Sequence, residues 1–106
     1  MRIAAVALIA LVLSAGAPAA DGTSRTYTIV IDKMKFGQTP PALHRGDTIL
    51  WVNRDLFRHS ATAANHSFDI DLPAGKTARM VVKATGEVAF SCKYHPGMRG
   101  VLRVQS

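Results

Sequence analysis

The chain has one cysteine among its 106 residues, which excludes an internal disulfide. Beyond residue 20, no stretch shows the apolar spacing of a helix, which argues against all-α and α/β folds. No run of basic residues occurs either, which argues against a nucleic-acid-binding protein. Internal repeats, low-complexity segments and a linker are also missing, and the length suits a single domain.

The first twenty residues have the features of a secretory signal peptide. A short positive start precedes an apolar run from Ile3 to Leu13, which is too short to span a bilayer. Ala17-Pro18-Ala19 fits a cleavage site, so we predict cleavage after residue 19 or 20. The prediction is a signal peptide at 1–20 and one domain at 21–106, located in the periplasm without stable membrane insertion. A membrane anchor or a buried helix is the alternative.

The charge is moderately basic. Lys and Arg number 13 against 7 Asp and Glu, a formal charge of +6, which falls to +5 if Arg2 is lost with the signal peptide. Such a surface suits an acidic protein partner or an anionic membrane surface, and it is equally compatible with ordinary solubility.

Short alternating runs of β-branched and aromatic residues dominate the rest of the chain. Ile29 and Ile31 alternate with Thr28, Val30 and Asp32. In another run, Val88, Phe90 and Cys92 share one face. Turn signals separate the runs, which predicts an all-β sandwich or small barrel of about seven to eight strands. The predicted strands fall around residues 27–32, 34–36, 48–53, 68–72, 77–83, 88–92 and 101–104. Residues 54–65 are predicted to form a polar connection.

Three metal donors lie within seven residues: Cys92, His95 and Met98. A thiolate and an imidazole bind several transition metals, but a nearby thioether favours copper. Two imidazoles and a thiolate with a weak axial thioether form the ligand set of blue-copper electron-transfer centres. Zinc is the alternative, and the thioether argues against it. A bound metal would also protect a lone thiol from oxidation.

The predicted centre needs a second imidazole, and the chain offers His44, His59 and His66. His59 follows the probable inner strand by six residues, whereas the other two lie at a turn and in a polar stretch. Because rigid sites favour ligands near strand ends, we choose His59. Met34 and Met80 are interpreted as packing residues.

The chain resembles the cupredoxins, in particular the small amicyanin-like and plastocyanin-like copper proteins. The resemblance covers almost the whole of residues 21–106, and the short spacing between His95 and Met98 is similar to that of amicyanin. The motifs that carry it are Gly46-Asp47-Thr48, Trp51-Val52-Asn53 with His59 six residues after Asn53, Pro73-Ala74-Gly75-Lys76, and Cys92-x₂-His95-Pro96-x-Met98-x-Gly100.

The resemblance implies a Greek-key β-sandwich that binds one type 1 copper ion. It implies that the copper ligands are His59, Cys92, His95 and Met98, and that the Asn53 side chain ties the His59 loop to the Cys92 loop. Tyr94 departs from the amicyanin pattern, which has proline there. Its backbone N–H is predicted to reach the Cys92 sulfur.

The expected function is one-electron transfer between redox proteins by a monomer, with His95 as the electron port. Leu56, Phe57 and Pro96 are predicted to form an apolar docking patch. A basic rim that attracts an acidic partner is predicted from Arg54, Arg58, Lys93 and Arg99. Copper storage, resistance or delivery is the alternative. A thiol enzyme ranks last, because no residue stands out to orient His95 beside Cys92.

Overall fold

The computed structural model describes residues 23–106. The predicted signal peptide at 1–20 and its cleavage site lie outside the described residues. Within residues 23–106, no helix has the length and hydrophobicity needed to cross a membrane.

Nine β-strands form the described part of the chain. In chain order they are β1 (Thr26–Asp32), β2 (Lys35–Phe36), β3 (Leu43–His44), β4 (Thr48–Asn53), β5 (His59–Ala63), β6 (Asp69–Leu72), β7 (Thr77–Val81), β8 (Gly86–Cys92) and β9 (His95–Gln105). The all-β prediction is confirmed, and the two strands outside the seven predicted segments are β3 and β5.

The strands form two sheets. The four-stranded sheet has the order β2-β1-β4-β7, and the five-stranded sheet has the order β3-β9-β8-β5-β6. Parallel pairings join β1 to β4 and β3 to β9, so each sheet mixes parallel and antiparallel neighbours. In the second sheet, β8 lies between β5 and β9, and all three strands carry residues of the predicted metal site.

The core lies between the sheets and contains a cluster of aromatic rings among its aliphatic side chains. Trp51 is fully buried, and its ring meets Phe90 edge-on with 5.3 Å between centroids. Phe36 packs against the same Phe90 ring at 4.8 Å, and Phe68 packs against Trp51 at 6.1 Å. Edge-to-face packing of this kind adds about 0.5–1.5 kcal/mol per pair beyond simple burial. This cluster braces the sandwich beneath the metal site.

Gly100 allows β9 to lie against this cluster. A Cβ built on Gly100 would meet the Phe90 ring at Cζ and at Cε1, the second at 2.9 Å. The Phe90 ring is confined by Phe36 and Trp51 and has little room to move. Only glycine therefore fits at this position without displacing the core.

The sequence predictions miss one strand and make another too short. Residues 54–65 were expected to be a connection, but His59–Ala63 forms β5. Its serine, alanine and threonine residues have modest strand propensity, and pairing with β6 and β8 on both sides determines its conformation. The last strand was expected at 101–104 and runs from His95 to Gln105, because the β8–β9 hairpin extends through the glycines.

Candidate metal centre

Three strand ends bring the predicted ligands together. His59 is the first residue of β5, Cys92 is the last residue of β8, and His95 is the first residue of β9. Their donor atoms all lie within 4.8 Å of one another. Met98 lies further along β9 with its side chain buried in the same hydrophobic cluster as Cys92. His59 is thus the histidine whose donor atom converges with those of Cys92 and His95.

The spacing of the donor atoms fits a trigonal or tetrahedral ion. The Cys92 sulfur lies 3.7 Å from His59 Nδ1 and 3.6 Å from His95 Nδ1. With bonds of about 2.3 Å to sulfur and about 2.0 Å to nitrogen, these separations would be about 3.5 Å at a tetrahedral angle and about 3.7 Å at a trigonal angle. A right angle would bring them to about 3.0 Å. The arrangement therefore disfavours square-planar coordination.

The Cys92 sulfur is fully buried and accepts a backbone hydrogen bond. Ser60 N–H donates to it at 3.4 Å. Tyr94 N–H was the expected donor, but among the described residues the donor is Ser60. Such a hydrogen bond stabilises the negative charge that a metal-bound cysteine sulfur carries.

Ser60 also ties the two ligand segments together. Its Oγ accepts the Lys93 N–H at 2.9 Å, and it is hydrogen-bonded to Thr62 Oγ1 at 2.8 Å. Because Lys93 follows Cys92 directly, Ser60 holds both the sulfur and the turn that leads to His95. The resemblance placed Asn53 in this role, and the observed contacts assign it to Ser60.

Asn53 has a different set of contacts. Its Nδ2 donates to Phe57 O at 2.8 Å and to Leu72 O at 2.9 Å, and its Oδ1 accepts Asp55 N–H at 2.9 Å. The residue is 1% exposed. Asn53 therefore shapes the segment between β4 and β5 and anchors it to the end of β6, so its support for His59 is local.

Asp55 contacts the ring of His59 on the side away from the cluster. Its Oδ2 lies 2.8 Å from His59 Nε2. The carboxylate also accepts N–H groups from Lys33 and Met34, at 2.7 and 2.9 Å. Desolvation raises the pKa of Asp55, but the hydrogen bonds from Met34, His59 and Lys33 outweigh it, so the pKa lies below its ordinary value. Asp55 is therefore ionised at neutral pH.

The two backbone donors come from a strained turn. Lys33 and Met34 connect β1 to β2 with φ values of 53° and 62°, a conformation that costs non-glycine residues about 1–2 kcal/mol each. Hydrogen bonds to a charged acceptor contribute about 1.5–3 kcal/mol each and offset this cost. Asp55 thus stabilises the turn while it holds the His59 ring.

His95 lies at the surface. It is partly exposed, whereas His59 and Cys92 are fully buried. Its ring lies edge-on to Phe57 with 6.5 Å between centroids. Within residues 23–106, the only polar contact of its ring is between Nδ1 and the Cys92 sulfur. The Nε2 edge is therefore available to solvent or to a partner.

The remaining candidates lie apart from the cluster. His44 belongs to β3, and His66 is exposed in a turn with φ of 66°. Neither belongs to the group of converging donors. Met80 is buried in the core, as its interpretation as a packing residue requires, whereas Met34 is exposed at 37%.

Two of the four predicted rim cations are neutralised within the chain. Arg58 pairs with Asp71 at 3.2 Å and Lys93 pairs with Asp69 at 2.9 Å. The hydrogen bond from Lys93, together with that from Thr62, lowers the pKa of Asp69. In the described part of the chain, Arg54 and Arg99 have no ion pair. The rim is therefore less basic than its sequence indicates.

No protein-family model matches the chain, and no curated protein matches its sequence. Solved structures do match. A Cu-containing nitrite reductase from Thermus scotoductus SA-01 is 25% identical with a TM-score of 0.66, covering 89% of this chain and 25% of that one. The chain thus spans about a quarter of that enzyme.

Smaller proteins match over most of their length. The reduced Cu(I) form of an amicyanin variant is 28% identical with a TM-score of 0.58, covering 74% of this chain and 80% of that one. A purple cupredoxin from Nitrosopumilus maritimus shares the fold at 20% identity, with a TM-score of 0.63 over 74% of this chain and 98% of that one. In its fold and in its cluster of two histidines and one cysteine, the chain is similar to the amicyanin-type cupredoxins.

Proposed function

We propose that the chain is a type 1 copper protein that carries single electrons between redox partners in the periplasm. The proposed ligands are His59, Cys92, His95 and Met98, with Asn53 as a supporting residue. The observation that carries the proposal is the buried Cys92 sulfur with two imidazole nitrogens at 3.6 and 3.7 Å from it. These separations suit trigonal coordination by two imidazoles and a thiolate.

The donor chemistry favours copper over zinc. Zinc would accept the same two nitrogens and one sulfur, but structural zinc sites take a fourth strong donor such as cysteine or histidine. Here the next donor along β9 is the buried thioether of Met98. A thioether is a soft, weak ligand that suits copper. When bound, copper would supply the exchange of one electron between its cupric and cuprous states.

The protein frame supports rapid electron transfer by keeping the donors in place. Hydrogen bonds to the Asp55 carboxylate and to Ser60 Oγ hold His59 and the Cys92 turn. The separations disfavour the tetragonal geometry that Cu(II) prefers and accept the trigonal or tetrahedral geometry of Cu(I). Both oxidation states then use nearly one arrangement, and little protein movement accompanies the transfer.

We propose that electrons enter and leave at His95. Its exposed edge is bordered by Phe57, which is 58% exposed, and Leu56 nearby is 92% exposed. Tyr94, the residue before His95, adds a further exposed ring at 46%. Exposed apolar side chains around a functional residue are typical of a protein-binding surface. Pro96, also exposed, completes the proposed docking patch.

Charge steering of an acidic partner is a smaller part of the proposal. Arg54 and Arg99 remain available for it, since Arg58 and Lys93 are paired with carboxylates. Rates of steered association fall with ionic strength, so a modest salt dependence is expected. We propose that contact with the partner depends mainly on the apolar patch and that the protein is a monomer.

Copper storage or delivery is the competing function. Such a role requires a site that releases its ion readily, whereas His59 and Cys92 are 0% exposed. Rapid loss of copper to a chelator, together with slow electron exchange, would favour delivery. The match to a nitrite reductase covers a quarter of that enzyme, and we propose no enzymatic activity for this chain.

The experiment is a titration of the purified domain with Cu(II), followed in the visible range. An intense thiolate-to-copper band that saturates at one ion per chain and disappears with ascorbate supports the proposal. Cys92→Ser should remove the band, and His66→Ala should leave it unchanged. Loss of the band in His66→Ala but not in His59→Ala would show that the assigned imidazole is wrong.

A further inference from the structure

We propose that Asp55 is a positioning residue of the metal centre, which fixes the tautomer of His59 and lowers the reduction potential. The inference rests on the proposed function and deepens it. It starts from the 2.8 Å contact between Asp55 Oδ2 and His59 Nε2. The side chains are 10% and 0% exposed, so the contact is shielded from water.

The tautomer follows from the hydrogen-bonding capacity of the carboxylate. An ionised carboxylate accepts hydrogen bonds and donates none. The proton shared with Asp55 must therefore be carried by His59 Nε2. The neutral ring then has its lone pair on Nδ1, the nitrogen that lies 3.7 Å from the Cys92 sulfur. Asp55 thus prepares the ring for metal binding before any metal is present.

The carboxylate is itself held from other directions. Lys33 N–H donates to Oδ1 and Met34 N–H to Oδ2, and the Asp55 backbone N–H donates to Asn53 Oδ1. A group anchored by three backbone hydrogen bonds cannot follow the imidazole if the ring turns. The ring orientation of His59 is therefore determined by the β1–β2 turn and by the segment after β4.

The negative charge of Asp55 acts on the redox equilibrium. The oxidised site carries one more positive charge than the reduced site, so a carboxylate in contact with a ligand stabilises the oxidised form more. A carboxylate partner also makes the imidazole a stronger donor. Removing the charge while keeping the shape should therefore raise the potential.

Asp55→Asn removes the negative charge and keeps the shape of the side chain, and Glu87→Gln is the matched control. Glu87 lies near the opposite end of β8 and pairs with Arg103 on the surface at 3.3 Å. Both variants lose one negative charge, but only the first touches His59. We expect Asp55→Asn to raise the ratio of Cu(I) affinity to Cu(II) affinity about tenfold, which corresponds to about 59 mV. Glu87→Gln should change this affinity ratio less than about twofold. Asp55→Glu keeps the charge and should therefore have a potential closer to that of the wild type than Asp55→Asn has.

A second measurement needs no metal. Nitrogen-15 NMR of the metal-free wild-type protein, recorded at a pH where the imidazole is neutral, should show His59 as a single tautomer with the proton on Nε2. A proton on Nδ1, or an equal mixture, would overturn the proposal, as would equal potentials for Asp55→Asn and Glu87→Gln. If the wild-type protein forms no thiolate–copper band, the proposed function fails, while the NMR result still decides the role of Asp55.

Discussion

The two histidines of the cluster are held in opposite ways. His59 is fully buried, and its outer nitrogen contacts the carboxylate of Asp55. His95 is partly exposed, and within the described residues its outer nitrogen has no protein partner. Both rings direct Nδ1 toward the same sulfur, at nearly equal distances. The cluster is therefore symmetric at the donor atoms and asymmetric in the surroundings of each ring.

This asymmetry would meet two separate requirements of the proposed electron carrier. A fixed ligand in a dry setting keeps the geometry constant between oxidation states. An exposed ligand provides a short route to a partner. In this chain the first requirement is met by a strand end between two other strands, β6 and β8. The second is met by a hairpin turn between β8 and β9.

Deleting each imidazole in turn is the strongest way to break the comparison. His59→Gly and His95→Gly should both lose the thiolate–copper band, because each removes one of three close donors. Excess free imidazole should restore the band in His95→Gly, since that position opens to solvent. It should fail to do so in His59→Gly, whose site is closed. The measurement is visible absorption with and without imidazole.

His44→Gly is the control for the histidine deletions, because His44 lies outside the cluster. It should retain the band without added imidazole. Equal rescue of both ligand variants would contradict the claim that the two rings differ in access.

The docking patch gives a smaller effect. Leu56→Asp places a charge next to Phe57, whose ring lies near His95, and Val81→Asp places one at an exposed apolar position of β7, in the other sheet. Electron self-exchange between oxidised and reduced copies reports contact at the patch, and NMR line broadening measures its rate. We expect Leu56→Asp to slow the exchange about tenfold and Val81→Asp to change it less than about twofold. Similar rates for the two variants would rule out the patch.

Ser60→Ala tests the link between the two ligand segments. The substitution removes the acceptor of Lys93 N–H but keeps the backbone donor to the Cys92 sulfur. We expect the free energy of unfolding to fall by about 1–3 kcal/mol, the usual effect of leaving a shielded donor unpaired. Ser67→Ala, at an exposed position, should stay within about 0.5 kcal/mol of wild type. Chemical denaturation of the metal-free proteins measures both, and equal stabilities would refute the role of Ser60.

The sequence predicted the donors better than their surroundings. Cys92, His95 and Met98 are close in sequence, so a single turn brings them to one place. His59 could be chosen because it follows a strongly patterned strand. In contrast, the contacts of Ser60 and Asp55 join segments that are distant in the chain, and a serine or an aspartate in a polar stretch carries no sign of them.

The same distinction applies to the fold. The apolar alternation of β1, β4 and β8 identifies them, because their core faces carry large residues such as Ile29, Trp51 and Phe90. Strand β5 has no such pattern, since four of its five residues are buried and most are small. Its conformation is set by its two neighbours in the sheet, which local sequence does not encode.

The central claim is that His59, Cys92 and His95 are held in place before copper binds and form a trigonal copper site with a cysteine thiolate. The most direct test is the visible spectrum of the metal-free protein after addition of one equivalent of Cu(II), recorded before and after ascorbate. We predict an intense band that forms without a slow folding phase, disappears on reduction, returns on reoxidation and is missing in Cys92→Ser. A folded protein that binds Cu(II) without colour, or keeps its band in Cys92→Ser, would contradict the account.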